Sequence, residues 1–220
     1  KQRISTDAIS HAIASFAVTD DAIGFTYTFE GHNFYTITFP SANKTFTISE
    51  VLSENGWFEL SSGTNDGKWQ ASSVISAYGK NYAADNDNGN VYCLDLDTYT
   101  NNGEALQRTR ISSNIDARLI GGAIGDAVTM SSVTISMETG VGLIAGQGDN
   151  PRIIVEASFD GGRTFSAGAW PRVGRLGEFV LKVKWDNMRT FYDCMLRISS
   201  TDPVNYSVYG ATIDLKLAGK

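Results

Sequence analysis

The spacing of apolar residues changes along the chain, and each change marks a different kind of element. Ile9, Ala12, Ile13 and Phe16 recur at i, i+3, i+4 and i+7, behind helix-capping residues at Ser5-Thr6-Asp7. That pattern predicts about three turns of amphipathic helix, with His11 off the apolar stripe. From Ala22 the period falls to two. Ile23–Phe29, Asn33–Phe39, Thr45–Ser49 and Trp57–Leu60 read as short strands, with turns at Glu30-Gly31, Pro40–Lys44 and Glu54-Asn55-Gly56. A second group follows at Trp69–Ile75, Tyr78–Ala84 and Asn90–Leu96, with Asp85–Gly89 closing a hairpin. Successive groups of short antiparallel strands, about 40–50 residues each, predict blades of a β-propeller.

Beyond Thr98–Glu104 the strands lengthen and the alternation becomes cleaner. Val133, Ile135 and Met137 are separated by Thr134 and Ser136. Phe179, Leu181, Val183 and Trp185 share one face, with Lys182 and Lys184 on the other. Cys194, Leu196 and Ile198, then Ile213, Leu215 and Leu217, repeat the scheme. One buried and one wet face per strand predicts an antiparallel β-sandwich. The expected fold is therefore all-β, with a short helix and propeller-like blades over residues 1–104 and a sandwich-like region over 105–220. Two blades cannot close a ring, and the chain opens with Lys1-Gln2-Arg3 in place of Met, so it reads as part of a longer protein.

Inside the second region, Ser158-x-Asp160-x-Gly162-x-Thr164-Phe165 is the pattern of an Asp-box hairpin. A strand over Arg152–Phe159 is expected to meet a Gly-Gly turn whose backbone N–H groups donate to the Asp160 carboxylate. Thr164 and Phe165 would then start the return strand, with the aromatic ring packed beneath the turn. Such a motif is scaffold and carries no chemistry by itself.

Composition narrows the function classes. The chain has 220 residues and a formal net charge of −6, which argues against a protein that coats nucleic acid. It leaves room for DNA to pass nearby without sticking. Cys93 and Cys194 match no metal spacing and sit in apolar runs, so both are expected to be buried free thiols. No apolar run has membrane-spanning length, and no signal peptide or lipidation motif is present.

Candidate sites each meet a plainer reading. Asp85-Asn86-Asp87-Asn88-Gly89-Asn90 has the oxygen density of a calcium loop, but position twelve is Leu96 and strands flank it, so a hairpin turn is the better reading. Gly140, Gly142, Gly146 and Gly148 mimic part of a dinucleotide fingerprint, but no helix pattern follows. His11 and His32 are the only histidines, and both read as exposed bystanders. Asp boxes occur in sialidases, and glycosidase chemistry needs paired carboxylates, or a Tyr nucleophile with an arginine cluster gripping the substrate carboxylate. Arg108, Arg110, Arg118, Arg152, Arg163, Arg172, Arg175, Arg189 and Arg197 mostly alternate with apolar residues, as solvated strand faces do. Tyr78, Tyr82 and Tyr99 read as packing between blades. No catalytic, cofactor-binding or metal-binding residues are expected.

Several stretches, taken in order, resemble one family. They are Gln2–Thr6 with Ala8-Ile9 and Ala12-Ile13, Phe34–Pro40, Asn88–Tyr92 leading to Leu94-Asp95, and Met137–Gly148. The Asp box at Ser158–Ser166, Gly174–Phe179, Trp185 and Asp202-Pro203-Val204 complete the series. Together they resemble the packaged-DNA stabilisation proteins, or tail hubs, of short-tailed phages, with Phe165 where the family usually has Trp. The resemblance implies a non-enzymatic virion protein without cofactors, assembled as a ring of six beneath the portal and its adaptor. It implies further that the ring holds the tail needle, seals packaged DNA and opens at infection. A glycan- or receptor-binding tail domain is the alternative, and a sialidase-like glycosidase the more remote one.

Overall fold

The computed structural model describes residues 4–49, 56–64, 66–166 and 168–219. Glu54 and Asn55 of the expected turn lie outside them, as do Gln2 and Arg3. The chain folds as two compact units, Lys1–Glu104 and Ala105–Lys220.

In the first unit, α1 (Asp7–Ala14) starts at Thr6, whose Oγ1 accepts the Ile9 N–H at 3.3 Å. It is shorter than the apolar spacing predicts. Phe16 leaves the helical path and sets its ring 5.2 Å from Phe39 and 6.3 Å from Phe46. β1 (Ile23–Phe29), β2 (His32–Phe39), β3 (Lys44–Ser49) and β4 (Trp57–Glu59) then form an antiparallel sheet in sequence order.

Both faces of that sheet are dry at its centre. Ile37 lies opposite Phe46 on the face that receives Phe16. On the other face, Thr36 lies opposite Thr47 and Thr38 opposite Thr45, all of them buried. Their hydroxyls bond in pairs at 2.8 and 3.0 Å, which removes the cost of burying them. Thr45 Oγ1 also accepts the Trp69 N–H at 2.9 Å, and the indole lies 6.1 Å from both Phe25 and Tyr27. A face that reads as polar is thus an internal one.

A three-stranded sheet follows in the order β5 (Ala71–Ala77), β6 (Lys80–Asp85), β7 (Val91–Leu94). Tyr78 and Gly79, both with positive φ, make the tight β5–β6 turn and leave Tyr78 97% exposed. The expected inter-blade packing of Tyr78 is therefore corrected; Tyr82 and Tyr99 are half-buried. Cys93, expected inside, is exposed. The register that pairs it with Tyr82 sets it on the opposite face from Ala83, which is buried. A small hairpin of β8 (Thr100–Asn101) and β9 (Glu104–Ala105) completes the run.

The second unit contains β10 (Arg108–Ile111), β11 (Ile115–Asp116), a 3-10 turn (Ala117–Ile120), β12 (Val128–Met137) and β13 (Ile154–Ser158). It continues with β14 (Val183–Phe191), β15 (Asp193–Ser200) and β16 (Val208–Leu217). One sheet runs β14-β12-β16. The other is built on β15, with β13 along one edge and β10 and β11 along the other. Val128, Met130, Val133 and Ile135 from the first sheet and Val155, Ala157, Leu196 and Ile198 from the second share one core. That is sandwich packing, and among the described residues all regular structure apart from α1 and the 3-10 turn is β.

The expected strand through Phe179 begins only at Val183. Phe179 and Val180 are 71% and 103% exposed. The pairing of β12 with β14 ends at Ile135 and Val183, and β12 itself ends at Met137, so Phe179 and Val180 have no strand to join. They fold instead into a turn tied to Gly140.

Candidate functional site

The Asp-box residues occupy the turn after β13. Gly161 and Gly162 take φ of 73° and 86°, a conformation that side chains with a Cβ rarely adopt. Asp160 Oδ1 accepts the N–H groups of Arg163 and Thr164, each at 2.9 Å, and the Ser158 hydroxyl at 2.7 Å. Its Oδ2 accepts the Thr164 hydroxyl at 2.6 Å, while Ser158 Oγ accepts the Gly162 N–H at 2.9 Å. The Thr164 hydroxyl and N–H and the Ser158 hydroxyl hold the Asp160 carboxyl below the ordinary carboxylate range.

Among the described residues, no regular return strand follows. Ser166 N–H bonds Ala157 O at 2.9 Å, and Ala169 bridges Val155. Phe165 is half-buried beneath the Arg197 guanidinium, 4.1 Å from its ring centre, and Arg197 is paired with Glu156 at 2.7 Å across the β13–β15 ladder. The ring thus covers the polar face of the sheet. Asp160→Ala removes the acceptor of two turn amides and should lower the melting temperature by a few degrees. Because folding lowers this carboxyl's pKa, its contribution is fully present above the usual value of 3.8 and fades as pH falls below it. The variant and parent melting temperatures should therefore converge in strong acid; a constant gap would refute that role for the carboxylate.

Two further loops are locked together beside this unit's core. Gly140 N–H donates to Val173 O and its carbonyl accepts the Gly177 N–H, while Thr139 Oγ1 donates to Phe179 O. Glu178 Oε2 clamps the second loop, accepting from Arg172 at 2.7 Å and from the Arg175 N–H at 2.9 Å. A Cβ on Gly142 would lie 2.7 Å from Asp149 O and 2.9 Å from Arg175 Cα. These backbone atoms cannot swing aside, so Gly142→Ala should cost about 1–3 kcal/mol in chemical denaturation. An unchanged midpoint would show that the loops are not locked. Held on this rigid base, Leu143, Ile144, Leu176, Phe179 and Val180 are all exposed.

Within each unit, the described residues with catalytic potential do not converge. His11 is exposed on α1, and His32 is half-buried on β2 in the other unit from the Asp box. Burial pushes the Cys194 thiol up to about 11, out of the nucleophile range. Several arginines are individually committed: Arg118 to Asp116, Arg172 to Asn150 and Glu178, and Arg197 to Glu156. Arg189 lies over Phe159, while Arg108 donates to the carbonyls of Val204 and Asp202. Asp85–Asn90 closes the β6–β7 hairpin, with Asp85 Oδ1 accepting the Asp87 and Asn88 N–H groups. Among the described residues, no three His, Cys, Asp or Glu side chains are grouped to hold a metal, and no helix is long and apolar enough to cross a membrane. Sequence spacing missed the exposed Leu143–Val180 cluster because Phe179 and Val180 read as part of a strand.

Comparison with known proteins finds one family similarity, over the first part of the chain. Residues 1–99 match the family model described as Bacteriophage P22 Gp10, beta-propeller, a phage stabilisation family. No curated protein matches the sequence. A solved structure titled glycoside hydrolase is similar at 12% identity over 91% of this chain, with a TM-score of 0.22. This chain spans 61% of that structure's chain. So loose a superposition carries no argument about activity.

Proposed function

We infer, for a chain whose residues 1–99 match the phage stabilisation family, a structural role in the phage tail. The finer reading is a tail hub. Copies assemble as a ring, six by family resemblance, that closes the portal channel, stabilises packaged DNA and joins portal and adaptor to the tail needle. The virion is its final location and the host cytoplasm its place of assembly. The family match is the observation that carries this reading. Rigid β units and the exposed Leu143–Val180 cluster support it, since such apolar clusters mark protein interfaces. The net charge of −6 suits a duct through which DNA passes without sequence-specific binding.

The test uses DNA-filled particles that lack their stabilisation protein. Adding the purified chain should raise the fraction of DNA protected from nuclease. DNA lost as fast as from untreated particles would count against the channel-closing role. A glycan array positive for the chain would favour the receptor-binding alternative.

A further inference from the structure

The first unit contains a buried carboxylate oxygen with nothing to balance it. Asp85 is 7% exposed. Its Oδ1 is occupied by the N–H groups of Asp87 at 2.6 Å and Asn88 at 3.2 Å. Its Oδ2 is buried without a hydrogen-bond partner among the described residues. Leaving a carboxylate oxygen dry and unpaired is costly, so such a group calls for a counter-charge or a donor. The Lys68 ammonium is already paired, with Asp87 at 2.9 Å.

Asp85 also lines a cavity of about 50 Å³, enough for one small occupant. Ser62, Gln70, Tyr92 and Asn101 contribute to the same wall, and each carries a side-chain oxygen. Gln70 Oε1 accepts from Asn101 Nδ2 at 3.1 Å, which fixes both amides and leaves Gln70 a second lone pair. Tyr92 Oη is held by the amides of Asn88 at 3.0 Å and Asn90 at 3.2 Å. Hard cations take just such sets, one carboxylate oxygen supplemented by neutral oxygens. Thiolate and imidazole are missing from the wall, which argues against zinc or copper.

We propose that this cavity binds a single hard cation of the calcium or sodium class, with Asp85 Oδ2 as its charged ligand and the amide oxygens of Gln70 and Asn101 beside it. The ion fastens the β6–β7 hairpin to the segments carrying Ser62, Gln70 and Asn101. It differs from an EF-hand, in which the acidic turn itself wraps the ion; here the turn uses only Oδ1.

Trp69 lines the cavity and provides a reporter. Terbium(III), an oxygen-seeking stand-in for calcium, is titrated into the full 220-residue chain while its indoles are excited. Sensitised emission should saturate and be displaced by calcium. It should vanish in Trp69→Phe, which removes the reporter, and in Asp85→Asn, which keeps the Oδ1 acceptor of the turn but loses the charge. Asn101→Ala, which leaves the hairpin intact, should weaken half-saturation about tenfold. Thermal melts with calcium chloride, sodium chloride or choline chloride at equal ionic strength identify the ion. A rise with either metal that Asp85→Asn abolishes supports the site. No emission, or equal emission and equal melting shifts in parent and Asp85→Asn, would overturn it and leave the cavity to water.

Discussion

Phe46→Ala will destabilise the first unit by about 3–5 kcal/mol, the cost of emptying a fully packed aromatic site. Phe46 is 2% exposed and lies 6.4 Å from Phe39 and 6.3 Å from Phe16, so its ring joins β3, β2 and the segment after α1. α1 itself buries no residue. Its attachment therefore depends on Phe16, and Phe16 depends on Phe46. Two consequences are expected in a calorimetric melt followed by tryptophan fluorescence. The transition of the first unit moves down by several degrees, and that of the second stays in place, because the units have separate cores. A variant melting like its parent would show that the aromatic cluster is not what holds this sheet.

Met130→Ala is the counterpart in the second unit, with an expected cost of about 2–5 kcal/mol. Met130 is 0% exposed at the third position of β12, the central strand of its sheet, between Leu215 of β16 and Arg189 of β14. The register shifts between Met130 and Ser132 against both neighbours, so a bulge lies beside the side chain. Removing it leaves a cavity that two bulged ladders cannot easily close. Met130→Leu, close in volume, should cost under about 1.5 kcal/mol. Equal losses from both substitutions, read from urea midpoints, would point to the bulge and away from the cavity.

What the sequence conveyed followed from how locally each feature is determined. The hydrogen bonds about Asp160 reach no further than Thr164, so spacing alone speaks to them. Strand positions in the first unit are carried by period-two alternation, and β1 runs over the very residues the alternation marks, Ile23–Phe29. The threonines of β2 and β3 show where alternation misleads. Thr36, Thr38, Thr45 and Thr47 look like a wet face and are buried, because hydroxyl pairs satisfy one another and Trp69, far along the chain, covers them. No spacing rule contains that partner. Phe179 and Val180 fail for the opposite reason. They extend the apolar run upstream of that alternation, but β12 ends at Met137 and has no residues left to pair with them, and pairing makes a strand. Cys93 illustrates a third limit: its apolar neighbours mark a strand but cannot say which face of β7 is covered.

If the chain works, as proposed, through interfaces with tail proteins, the mass of the purified chain in solution will show it. Sedimentation is measured for the chain alone and mixed with phage tails from which the hub is missing. A ring-sized assembly is expected, or co-sedimentation with the tails that Phe179→Asp and Val180→Asp together weaken. A monomer that ignores those tails at every concentration would contradict it.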